Sequence, residues 1–408
     1  MKQPLSDRAV TVYCGLLMAI TAFSIDITLP FFSQIRESLQ TTNELVTATI
    51  TVNIFCLGIG QLFFGPLSDR YGRRPAVCLG LSIYLAGTLA AIFATDISAL
   101  LTGRALQGLG AGAAPVVARA VIRDRFTGTA MAQNMALASG IFSVGPIVAP
   151  LIGAALIELG GNWQIIFAAM MLMAAALLVA LLKIPETLAT PNPSALNPAT
   201  VASNIQAIFK HPQSRYFLLL SAWTMVSLVI IISGTASVME HEFGVTGTLF
   251  ALLFAAHGLG IVVGQFCNHW LIGRFGTVRA SICGALVMTS AMSVTVVLAW
   301  FGHLNAYGLA ALVVLFAVGY LPVYSNTASL TLDPHGKIAG FTAAFYGAFG
   351  QLSSAAIATG LVALAGGRLV PWSATLAFVC AVSFIALWAW LRREAPVIAS
   401  AYSGSPRA

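Results

Sequence analysis

Leu67-Ser68-Asp69-Arg70-Tyr71-Gly72 returns 204 residues later as Leu271-Ile272-Gly273-Arg274-Phe275-Gly276, an offset of half the 408-residue chain. Each copy interrupts apolar sequence, the first between stretches at 45–67 and 76–94, the second between 249–272 and 280–300. Outward from these, further apolar stretches recur at 10–29, 99–122, 131–158 and 163–182, then at 216–238, 304–326, 340–364 and 371–391. A helix needs about 20 apolar residues to cross the hydrocarbon of a bilayer. The pattern therefore predicts an all-α membrane protein with twelve transmembrane helices, six on each side of a gap. A duplicated six-helix unit explains the echo, and transporters built from two such halves bind substrate between them near the midplane.

Composition leads to the same class. Only 8% of residues are charged and 58% are hydrophobic, where soluble domains carry roughly 25% charge. Ordinary soluble, disordered and secreted proteins are excluded. The net charge of +7 forms no cluster with interleaved aromatics, so no nucleic-acid partner is expected. Cys14, Cys56, Cys78, Cys267, Cys283 and Cys380 all lie in apolar stretches without CxxC spacing and read as packing residues, with no metal or disulfide implied. The first stretch carries Asp26 and Pro30 and reads as helix 1, not a cleavable signal. The expected organisation is an N-terminal bundle at 1–182, an exposed Pro-, Ser- and Thr-rich linker at 183–213, a C-terminal bundle at 214–395 and a tail at 396–408.

Charge placement predicts topology. With a cytoplasmic N-terminus, seventeen of the 20 Lys and Arg fall on the cytoplasmic side, and only Arg36 and Arg368 on the other. The acids divide evenly, as expected when Lys and Arg alone set orientation. Both termini and the linker are therefore expected in the cytoplasm. One base and one acid remain, Arg104 and Asp26, and both sit inside spans. Each costs about 2.5 to 3.5 kcal/mol there, so by default they mark a functional site. At about 1.5 Å per residue, with spans taken as 9–36 and 98–122, Asp26 lies about 5 Å and Arg104 about 9 Å outward of their centres. Such a pair can share one layer, where burial and a nearby cation act oppositely on the carboxyl's proton affinity.

Four segments resemble the major facilitator superfamily, and within it the drug:proton antiporters of the Bcr/CflA type, over essentially the whole chain. Gly65-Pro66-Leu67-Ser68-Asp69-Arg70-Tyr71-Gly72-Arg73-Arg74-Pro75 is similar to the signature between helices 2 and 3. Its glycines allow a tight turn, and Arg70, Arg73 and Arg74 can pair with Asp69 and Asp124. The resemblance implies a conformational latch. Leu101-Thr102-Gly103-Arg104-Ala105-Leu106-Gln107-Gly108-Leu109-Gly110 resembles the helix 4 motif whose Arg is associated with proton coupling. The glycines from Gly108 to Gly112 follow no strand, so they read as close helix packing and not as a dinucleotide loop. Gly145-Pro146-Ile147-Val148-Ala149-Pro150-Leu151-Ile152-Gly153 resembles the antiporter motif of helix 5, departing from it at Ala149, and its prolines are expected to kink the helix. Ser24-Ile25-Asp26-Ile27-Thr28-Leu29-Pro30 resembles the segment that holds the family's membrane-embedded acid. His335, Gly340, Gly347, Gln351 and Pro185-Glu186-Thr187 also match the pattern.

The resemblance implies the major facilitator fold, two pseudo-symmetric six-helix bundles, and drug/H+ antiport in a bacterial inner membrane. Asp26 and Arg104 would couple the proton. Asn53, Gln107, Trp223, His257, Tyr320, Tyr324, Tyr346 and Gln351 are the candidate drug contacts, because they lie in or beside spans lining the central cavity of that fold. The expected partners are small-molecule drugs, protons and the lipid bilayer, for a monomer with no cofactor. No HExxH, GxSxG, Walker or paired-carboxylate arrangement argues for an enzyme. The rival readings are a proton-coupled carrier of one metabolite and a transporter-like sensor without flux.

Overall fold

A computed structural model describes residues 6–403. Lys2 and Arg407, counted above on the cytoplasmic side, lie outside the described residues. Among the described residues, twelve helices are long and apolar enough to cross a membrane. Helices 1 to 6 are Asp7–Ser38, Asn43–Tyr71, Arg73–Ile92, Ile97–Arg125, Gly128–Glu158 and Gln164–Leu181. Helices 7 to 12 are Pro212–Phe243, Gly247–Phe275, Thr277–Trp300, Ala306–Gly336, Ala339–Ala365 and Leu369–Arg393. Among the described residues there is no strand. This follows from a bilayer's lack of hydrogen-bond partners, which leaves the helix to satisfy its own backbone.

Three features differ from the sequence expectation. Helix 1 is not continuous: an α-helix ends at Asp26, a 3₁₀ turn occupies Leu29–Phe31, and a second helix runs Phe32–Ser38. Pro30 has no N–H to give the Asp26 carbonyl four residues earlier, so the ladder fails there. The linker is not wholly exposed coil. It contains a helix, Pro198–Lys210, started by the Asn197 side chain and by Pro198 in the first turn. Its apolar face, Ile205, Ile208 and Phe209, packs on Leu218, Phe345 and Tyr346 of helices 7 and 11. Finally, the last helix continues to Ser403 and takes up most of the segment read as a tail.

The duplication is visible in the backbone. Gly72 and Gly276, again 204 apart, both end a helix with positive φ, +109° and +80°. Both return their N–H to the carbonyl four residues back, on Ser68 and Ile272. Side chains at these positions would be strained.

Helix 4 is packed through its glycines. A β-carbon at Gly112 would lie 2.6 Å from the Gln61 nitrogen, and those at Gly108 and Gly110 would collide with the backbones of Asn53 and Gly80. Helices 2, 3 and 4 thus touch main chain to main chain, as membrane bundles do where lipid supplies no hydrophobic drive. The halves meet along helices 2 and 11 and along helices 5 and 8. In the first seam Gln61 Nε2 donates to Gln351 Oε1 at 3.1 Å. In the second, Gly258 faces Pro146 and Ile147.

Candidate functional site

The loop between helices 2 and 3 is organised by one arginine. Arg73 is 4% exposed. Its guanidinium reaches Ser68 Oγ at 2.9 Å, Asp69 Oδ1 at 2.5 Å and Asp124 Oδ2 at 2.8 Å, tying helices 2, 3 and 4 together. The expectation that Arg70 and Arg74 share this pairing is corrected. Arg70 donates instead to the Pro193 carbonyl of the linker at 3.2 Å, and Arg74 contributes its backbone N–H, to Glu186. Arg73, at the start of helix 3, is the arginine of the three whose guanidinium meets both Asp69 and Asp124.

Glu186 is the member of this cluster whose role sequence reading missed. Its carboxylate accepts from four backbone N–H groups, those of Arg73, Arg74, Thr187 and Leu188, at 2.9 to 3.0 Å. It thereby caps helix 3 from the end of helix 6, and the Gly72 α-carbon faces it with no space for a side chain. The only cue was an acid directly after Pro185. Burial pushes the Glu186 carboxyl up, but the four N–H bonds outweigh this and hold it below the usual carboxylate range. Because the folded value lies below the unfolded one of about 4.3, the carboxylate stabilises the fold above that pH and loses its contribution as pH falls through the folded value. In Glu186→Gln, protection of the Arg73 and Arg74 amides from hydrogen exchange, taken relative to the intrinsic rate at each pH, is expected to be lower at neutral pH and not to fall further on acidification. Wild-type protection in that variant would refute the capping role.

Asp26 and Arg104 are both buried, at 4% and 1% exposure, but are not an ion pair. Asp26 ends the first segment of helix 1, and its carboxyl makes no hydrogen bond or ion pair to another described residue. Gly145 and Gly153 of helix 5 lie against this region, Gly145 on Ala22 and Gly153 on the Ile27 carbonyl and Pro30. The helix 5 motif therefore cradles the break in helix 1. That helix runs from Gly128 to Glu158 through both prolines.

Arg104 Nε donates to the Thr49 carbonyl at 3.3 Å and Nη1 to Gln107 Oε1 at 2.8 Å, while Nη2 has no partner among the described residues. Phe167 lies beneath the guanidinium, 5.9 Å away. Gln107 in turn donates to Thr88 Oγ1 at 2.8 Å, and Asn53 donates to the Arg104 carbonyl at 3.0 Å. Gln107 and Asn53 are thus orienters of Arg104 in this structure. Helix 1 joins the layer through Ser24 Oγ and Tyr84 OH, 2.7 Å apart. Tyr84 was not foreseen, although Tyr84 and Thr88 form a polar pair one turn apart in an apolar span.

In the second half, Phe316, Tyr320 and Tyr324 stack one turn apart on helix 10, with ring centroids 5.9 and 5.7 Å apart, and Tyr346 of helix 11 continues the column at 5.7 Å. Phe250, Phe254 and His257 form a second column on helix 8. The Tyr320 hydroxyl and both His257 nitrogens are buried without partners among the described residues. Each such group costs about 1 to 3 kcal/mol unless something completes its bond. Tyr346 donates to the Tyr324 carbonyl at 2.9 Å and supports the first column. Trp223 is a correction: its indole donates to the Val379 carbonyl of helix 12 at 3.0 Å and packs edge-on to the exposed Phe378, on the flank of the bundle.

The profile of the Major Facilitator Superfamily matches residues 14–358. Multidrug resistance protein D of Escherichia coli K12 is 25% identical over 350 residues, covering 84% of this chain and 86% of its own. A bicyclomycin resistance protein homolog of Haemophilus influenzae is 28% identical over 334 residues, covering 80% and 82%. The partially occluded inward-open xylose transporter XylE from E. coli superposes with a TM-score of 0.74 at 14% identity, over 93% of this chain and 96% of that one. With twelve apolar helices in two six-helix halves and no strand among the described residues, the chain belongs to the Major Facilitator Superfamily: it is a multi-pass membrane transporter of the Bcr/CflA resemblance, not an enzyme.

Proposed function

We propose that the protein is a proton-coupled multidrug exporter of the bacterial inner membrane, trading protons for small amphiphilic compounds by alternating access. The observation that carries this reading is Asp26. A buried carboxyl without a fixed partner among the described residues, placed where helix 1 is already broken, is free to take and release a proton, because no ion pair must be dismantled when its charge changes. Arg104, fully buried with one donor unpaired among the described residues, supplies a compensating positive charge in the same half. The antiporter motif lies against the break, so a change at Asp26 is felt directly by helix 5, which forms the seam with helix 8.

Drug would sit between the halves against the two aromatic columns, where Tyr320, His257 and the Gln61–Gln351 pair offer polar contacts in apolar surroundings. Bundles at 1–182 and 214–395 rock about this site in a monomer, with both termini and the linker cytoplasmic. The names of the drug-resistance relatives favour drugs over a single metabolite. The test is purified protein in liposomes. An imposed gradient, acidic inside, is expected to drive drug uptake, and adding drug to unbuffered protein in detergent to release protons. Drug flux that is indifferent to the gradient would rule out antiport.

A further inference from the structure

We propose that Arg36 and Glu240 form the gate that holds the two halves together on the face opposite the latch. This rests on the alternating-access reading, which puts that face outside. Arg36 lies in the short helix beyond the break in helix 1, and Glu240 in the last turn of helix 7. Arg36 Nη2 and Glu240 Oε1 are 2.9 Å apart, a direct ion pair between the halves, with side chains only 27% and 19% exposed.

Both partners are held in place from behind. Arg36 Nη1 donates to Asn43 Oδ1 at 2.9 Å, fixing the guanidinium against the start of helix 2. The end of helix 7 is pinned to its own half, because Glu242 accepts the Leu369 N–H of helix 12 at 3.0 Å. The pair thus joins two supported helix ends, where exposed pairs of free side chains contribute little. A second polar tie between the halves, Thr248 Oγ1 to Glu158 Oε1 at 2.7 Å, lies on the same face. Next to the pair, across Asn43, a cavity of about 20 Å³ lined by Glu44, Thr47, Gly234, Ser237 and Trp372 has room for about one water. The seam is shut here, and a drug leaving on this side must part it.

Charge makes the pair specific. The residues facing Arg36 are acidic or neutral: Glu37 lies 3.7 Å away, Glu240 at 2.9 Å, and Asn43 completes the ring. The sequence places only one other base, Arg368, on this face. Arg368 belongs to the second half, and among the described residues it makes no ion pair with Glu240, whose partner is Arg36. The ties of Arg73 stay among helices 2, 3 and 4 of the first half, whereas Arg36–Glu240 crosses the seam, so breaking it loosens the halves on this face.

Charge reversal tests this in the full-length protein. In Arg36→Glu and in Glu240→Arg, hydrogen exchange at residues 36–47 and 234–246 is expected to be about threefold to fivefold faster than in the wild type. The double exchange Arg36→Glu with Glu240→Arg should restore wild-type exchange. Rates unchanged in the single variants, or no restoration in the double one, would overturn the gate. Should a reversal fail to fold, Arg36→Gln and Glu240→Gln carry the same test: the two are expected to give equal, non-additive increases, and additive increases count against the pair. Exchange is read without drug or proton gradient, so this outcome is separate from the identity of the substrate.

Discussion

Asp26→Asn is expected to abolish the concentrative export proposed above while leaving the protein folded. The substitution keeps the shape of the side chain, and no hydrogen bond or ion pair to another described residue is lost with the carboxylate. What disappears is the one acid the sequence places well inside an apolar span, away from its ends. At a driving force on the order of 150 mV, one proton supplies about 3.5 kcal/mol, enough for a several-hundredfold gradient of a neutral drug. The variant should bring that gradient to unity in inverted vesicles. It should still exchange labelled for unlabelled drug down a gradient, because the halves can still rock around a neutral site. A variant that accumulates drug as the wild type does would place proton coupling elsewhere.

The second large effect is expected at Arg73. Removing the guanidinium in Arg73→Ala leaves Asp69 and Asp124 facing each other without their cation and frees the Ser68 hydroxyl. Charged hydrogen bonds contribute about 1.5 to 3 kcal/mol each and breaking a buried pair costs about 3 to 5. The acids here are partly exposed and regain some hydration, so about 3 kcal/mol is expected from denaturant unfolding in detergent, with transport lost. Arg70→Ala and Arg74→Ala should each stay within about 0.5 kcal/mol of wild type, because neither side chain pairs with an acid here. Arg73→Lys should recover only part of the loss, since an ammonium cannot fork between two carboxylates. Equal effects at all three arginines would contradict the arrangement.

Much of the candidate site was legible because the bilayer makes polar residues conspicuous. Asp26, Arg104, Gln107, Asn53 and His257 stand out against apolar neighbours, and hydrocarbon tolerates such residues only where they face the protein's interior. Partners were not legible, because they are chosen by rotation about helix axes. A helix turns about 100° per residue, so small uncertainty in facing direction decides whether Trp223 points into the seam or, as found, onto helix 12. The same holds for Arg70, Arg73 and Arg74, three equal charges in a row of which one meets both acids. Depth estimates placed Asp26 and Arg104 in one layer, yet depth carries no information on lateral position. Arg104 is spent on Thr49 and Gln107, and Ser24–Tyr84 makes the link from helix 1.

The linear chain by itself determined the number of spans, their grouping into two halves and the residues held against cost inside them. These depend on local quantities: apolar length, a 204-residue repeat and the expense of charge in lipid. Even the break after Asp26 was written locally, in the missing N–H of Pro30. Only the tertiary structure decided which charges meet. Glu186 reaches Arg73 from 113 positions away, Gln61 reaches Gln351 from 290, and Arg36 finds Glu240 across the seam. Such pairings are set by how twelve helices pack through their glycines, and no single segment contains that information.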